Sequence, residues 1–148
     1  MVMDYLKRTP EGFVLLGHWD IKAGGIGYGT VAPWTIRTDL DDVPTMLLSA
    51  SDGGMGCSGE TDTLIALTPT GPEDRGSFAL STGYQDDPDV RNGPKDFHYD
   101  GKIVPLERGK AFVVDFSGTK SARIIYTKQA GAQFLNEDSS TANFPPSC

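Results

Sequence analysis

The chain has 148 residues, 38% of them hydrophobic, with 20 acidic against 13 basic side chains and a formal net charge of −7. One domain of that size buries roughly 70% of the surface its unfolded chain exposes, so it needs no disulfide or metal to fold. A field of that sign repels phosphate backbones and argues against a nucleic-acid partner, and no apolar run approaches the ~20 residues of a membrane-spanning helix.

Lys7-Arg8 ahead of the apolar residues 13–16 imitates a signal peptide only superficially, because the run is too short and no small-residue cleavage site follows. The compartment stays open, and an extracytoplasmic location would require an export signal already removed. The 18 glycines and 10 prolines are spread along the chain as punctuation, which suits short strands and tight turns.

In chain order, residues 13–22 alternate as a strand, with Phe13, Leu15, Gly17, Trp19 and Ile21 on one face. After a glycine-rich turn at 23–27, residues 28–37 repeat the pattern, with Tyr28, Thr30, Ala32, Trp34 and Ile36 as the apolar face. The spacing predicts one hairpin with both tryptophans facing inward. Pro33, which lacks an N–H, marks its second strand as an edge or a bulge. Residues 38–43 read as an acidic loop, 46–50 as a short buried strand, and 51–60 as a second glycine-rich loop. Strands follow at 63–67 and 77–84, joined by Pro69-Thr70-Gly71-Pro72, and 85–95 is a polar loop rich in turn residues.

Asp100-Gly101 sits between two strand-like runs and predicts a type I′ hairpin turn, pairing Tyr99 with Lys102, His98 with Ile103 and Phe97 with Val104. A further turn at 107–110 leads into 111–116, where Phe112, Val114 and Phe116 share a core face opposite Ala111, Val113 and Asp115. Residues 122–128 form the last strand, 130–136 a short helix anchored by Phe134 and Leu135, and 137–148 a tail after a single domain at 1–136. The expected class is all-β, an antiparallel sandwich or barrel of about eight to nine short strands with at most one short helix near the C-terminus.

The two histidines open one pattern, His18-Trp19-Asp20-Ile21-Lys22 and His98-Tyr99-Asp100-Gly101-Lys102. Residues two apart on a strand project to the same side, so His18 with Asp20 and His98 with Asp100 are candidates for acid–base work. If the strands were neighbours, they could share a zinc site. Asp100 has a competing role in the predicted turn. Cys57 lies on the glycine-rich loop and is a candidate nucleophile, although neither it nor Ser58 fits the G-x-S-x-G elbow. Its rival use is a disulfide with Cys148.

The glycines at 24–29 lack the lysine of a phosphate-binding loop and would join strand to strand. Asp86, Asp87, Asp89, Asn92 and Asp96 crowd hard oxygen donors into one stretch, a candidate calcium loop. It departs from an EF-hand, since Arg91 takes a ligand position and no glutamate closes it.

No catalytic motif reaches specificity, so the leading expectation is a non-catalytic binding domain presenting its polar loops to a protein or glycan. A hydrolase using the histidine–aspartate pairs or Cys57 is the second reading. An acidic inhibitor or immunity-type protein that neutralises a basic partner is the third.

Overall fold

The computed structural model describes residues 2–20, 33–54, 56–85, 95–130, 132–138 and 144. All ten of its elements are strands: β1 (Val2–Thr9), β2 (Gly12–Asp20), β3 (Trp34–Arg37), β4 (Thr45–Gly54), β5 (Cys57–Thr68), β6 (Gly71–Tyr84), β7 (Phe97–Glu107), β8 (Ala111–Gly118), β9 (Ala122–Lys128) and β10 (Phe134–Leu135). They form a two-stranded antiparallel ribbon, β1–β2, and an eight-stranded antiparallel meander in the order β10-β9-β8-β7-β6-β5-β4-β3. The all-β class therefore holds. Among the described residues the sheets do not close into a barrel, and no helix is long and apolar enough to cross a membrane.

The meander curls on itself, so that Gly76 in β6 lies against the backbone of Phe134 in β10, 3.1 Å from its carbonyl oxygen to the position a Cβ would take. The main core fills the concave side. Phe112, Val114 and Phe116 of β8 are buried there, as their alternation predicts, with Leu47, Leu64, Phe78, Ile124 and Phe134. Phe112 is packed on three sides by the rings of Phe78, Tyr126 and Phe134, at 5.1, 5.1 and 5.2 Å between centroids. Aromatic pairs at this spacing add to the stabilisation from area burial. A second cluster, Met46, Leu48 and Ile65, sits on the opposite face and is covered by Met3 of the ribbon and by Leu67. Two packed layers result.

Several expectations are corrected. Asp100 and Gly101 do not turn: β7 runs straight through them, with Asp100 opposite Ser117 and Gly101 opposite Phe116. Gly101 is small because β7 passes close to its neighbours. A Cβ there would stand 2.7 Å from the Leu80 carbonyl oxygen and 2.7 Å from Val114 Cγ1. The turn lies at 108–110, as predicted, where Gly109 takes φ +74°, a left-handed conformation that side chains disfavour.

The two tryptophans do not share a hairpin. Trp19 belongs to β2, whose partner is β1, a strand whose mixed polar and apolar residues hide its alternation. Trp34 is on β3 and 59% exposed. Pro33 correctly marks an edge: β3 ends the large sheet and pairs only with β4 among the described strands. Residues 51–60 are not a loop, since the β4–β5 pairing continues to Gly54 opposite Cys57. The expected helix at 130–136 is replaced by a tight turn and β10, with Phe134 buried but Leu135 exposed.

The acidic stretch 38–43 is also no projecting loop. Leu40 and Asp41 are fully buried. Asp41 accepts hydrogen bonds from Arg75 Nε at 2.8 Å and Lys128 Nζ at 2.6 Å, while Arg108 Nε donates to its carbonyl at 2.9 Å. These contacts tie the segment to β6, β9 and the β7–β8 turn. Burial alone would raise the Asp41 pKa, but the hydrogen bonds from Lys128 and Arg75 outweigh it and hold the carboxyl below its ordinary range.

Candidate functional site

Two surfaces carry features beyond packing. The first is an apolar groove of about 580 Å³ between the ribbon and the edge strand β3, walled by Val2, Leu6, Leu16, Trp34 and Ile36 with Met46 and Leu67 at its base. The walls form because the ribbon has more apolar positions than one packed face can use. Met3 covers the second cluster, while Val2, Leu6 and Leu16 are left 53%, 57% and 62% exposed. A bulge between Tyr5 and Leu6 breaks the strict alternation of β1 here. Asp4 also lines the groove, and it is engaged by His18 Nδ1 at 2.7 Å.

The second surface is an open groove at the other end of the large sheet, where β5 and β7 begin and β6 ends. Cys57, Ser58, Gly83, Tyr84, Asp96, His98 and Thr119 are among its lining residues. Register builds it. Ser58 lies opposite Gly83 on β6, and Gly83 lies opposite His98 on β7, so the three project from one face. With no side chain at Gly83, Ser58 and His98 both close in over its Cα. The Cβ position there is 3.2 Å from Ser58 Oγ and 3.4 Å from His98 Nδ1. Two residues on, Asp100 accepts a hydrogen bond from His98 Nε2 at 2.7 Å. The backbone N–H of His98 donates to Thr119 Oγ1 at 2.9 Å. Tyr84 is 5% exposed, stacks on Phe97, and has a buried hydroxyl with no hydrogen-bond partner among the described residues.

His98 and Asp100 project together, as their spacing requires. His18 bonds to Asp4 of β1, and Asp20 is exposed at the end of β2. His18 and His98 lie on different sheets, with no strand pairing between them, and no three His, Cys, Asp or Glu side chains converge on a metal-sized site among the described residues. Cys57 is a free thiol on the rim of the groove; Cys148 lies outside the described residues, as do Asp86, Asp87, Asp89 and Asn92 of the candidate calcium loop. Asp96 is described and joins the groove lining. Nothing in the sequence points to Gly83 or Thr119, and Ser58 stands out there only as a residue that does not fit the G-x-S-x-G elbow, because strand periodicity carries no information on which strands are neighbours.

Comparison with family models, with curated proteins and with solved structures finds no match to this chain.

Proposed function

We propose that this protein is a non-catalytic binding domain that seats an apolar segment of a protein partner in the groove between the ribbon and β3. One observation supports the reading above others: Val2, Leu6, Leu16, Trp34 and Ile36 are between 45% and 62% exposed and line a single groove. Isolated apolar side chains are normal on a protein surface, but contiguous ones around a concavity mark contact sites. The walls are aliphatic with one indole. A glycan would ask for donors and acceptors around an aromatic face, so a protein segment is the better fit.

Covering a half-exposed aliphatic side chain contributes on the order of 1 kcal/mol. Five together offset part of the cost of association and set an expectation of micromolar affinity. The polar-loop version of the binding reading loses support, since 38–43 is tied down and 51–60 is a hairpin.

The test is panning of a displayed peptide library against the wild type, with Leu6→Asp/Trp34→Asp protein as the counter-selection. Enriched peptides should carry two or more large apolar side chains and bind the double variant at least tenfold more weakly. Circular dichroism should show the variant still folded. Peptides that bind both proteins equally would overturn the proposal. Sedimentation equilibrium gives the second arm: a dimer that Trp34→Asp dissociates would make a second copy of the chain the occupant.

A further inference from the structure

We infer that the groove over Gly83 is an esterase site, with Ser58 as nucleophile, His98 as general base and acid, and Asp100 as the residue that orients the imidazole. An ionised carboxylate only accepts hydrogen bonds, so the 2.7 Å contact places the imidazole proton on Nε2. The Nδ1 lone pair then faces the space over Gly83, across which stands Ser58 Oγ. A nucleophile, a base turned towards it and a third group fixing the base is the arrangement that activates a serine. The reacting carbonyl reaches Ser58 Oγ from the open side of the groove, which leaves the space over Gly83 to the proton's path to His98. Thr119 Oγ1 spends a lone pair on the His98 N–H and keeps its own proton to donate.

The step balances without any further reagent. Ser58 Oγ bonds to the ester carbonyl carbon while its proton passes to His98 Nδ1. The carbon–alkoxy bond then breaks and the alkoxide takes that proton, leaving an acyl-serine and an alcohol. Water repeats the sequence on the acyl-serine, with His98 Nδ1 taking its proton and returning it to Ser58 Oγ, and releases a carboxylic acid. Because the groove is open and His98 and Asp100 are largely exposed, water is not excluded and the leaving group must be a good one. Asp100, exposed beside His98, selects neutral or cationic esters over anionic ones.

The experiment uses p-nitrophenyl acetate and reads both released nitrophenolate and the acetylated residue by peptide mass mapping. Expected are an acetyl group on Ser58 and a fall of about a hundredfold in rate for Ser58→Ala and for His98→Ala, the lower end of the range for general-base catalysis. Gly83→Ala fills that space with a methyl group at ordinary strand geometry and should lower the rate similarly while the protein stays folded. His18→Ala should change nothing, because His18 has a carboxylate partner but lies on the other sheet. The inference is overturned if wild-type protein is not acetylated, if the acetyl group sits only on Cys57, a histidine or lysines, or if Ser58→Ala keeps the full rate.

Discussion

Two buried carboxylates, Asp41 and Asp62, set the stability of this protein against pH in opposite senses. Asp41 is fully buried, and its bonds to Lys128 and Arg75 override the effect of burial to lower its pKa. A carboxyl with a folded pKa below its unfolded one stabilises above the ordinary carboxylate range, and that contribution is lost as pH falls through the folded value. Asp41→Asn should cost about 1.5–3 kcal/mol near neutral pH, since it removes the buried carboxylate partner of Arg75 and leaves it the exposed Glu73. In strong acid the gap to wild type should shrink, which urea titrations at neutral pH and at about pH 3 would check. Asp62 is the reverse case. Burial raises its pKa, and the hydrogen bond donated by Ser49 Oγ at 2.6 Å offsets only part of this. Its ionisation destabilises the fold as pH climbs from the ordinary carboxylate range through the raised value. Asp62→Asn should therefore gain on the order of 1 kcal/mol at neutral pH, and nothing in acid. A loss of stability at neutral pH would show that the charged form is needed.

At the scale of the element, alternation made β5, β6, β8 and β9 legible, and the lost N–H of Pro33 marked the edge strand β3. The centre of β7 was misread because Asp-Gly has two explanations, a turn or a close approach of backbones, and local sequence does not separate them. A substitution does. Gly101→Ala should cost about 1–3 kcal/mol, as overpacking against Leu80 and Val114 does. Gly101→Asn should cost more, whereas a type I′ turn would accept asparagine better than alanine. The order of the two thermal midpoints decides the matter. The half of the proposed esterase site lying within one strand, His98 and Asp100, was readable from their spacing. Ser58 and Gly83 were not, because their places opposite His98 follow from register across three strands, fixed by the whole sheet's packing.

Across the whole molecule, the ribbon and the large sheet differ in how firmly they are held. A two-stranded ribbon is marginal alone, and this one leaves Phe13, Val14, Leu15 and Leu16 each more than half exposed. Its attachment runs through Met3 on the second core cluster and through Trp19, which packs on Tyr5 with ring centroids 4.7 Å apart and lies over Gly71, leaving no room there for a Cβ. The main core, centred on Phe112, does not include the ribbon. Stability should therefore be graded, with the ribbon opening at lower free energy than β8. Trp19→Ala should weaken the attachment by about 2 kcal/mol, below the range for a fully buried aromatic because Trp19 is only half-buried. Native-state hydrogen exchange should then show β1 and β2 amides exchanging roughly thirtyfold faster, with those of β8 unchanged. Uniform acceleration across both sheets would mean that they unfold as one unit. The same variant separates the two proposed activities. It should loosen the wall of the apolar groove and weaken peptide binding, yet leave the acetylation of Ser58, built wholly on the large sheet, at its wild-type rate.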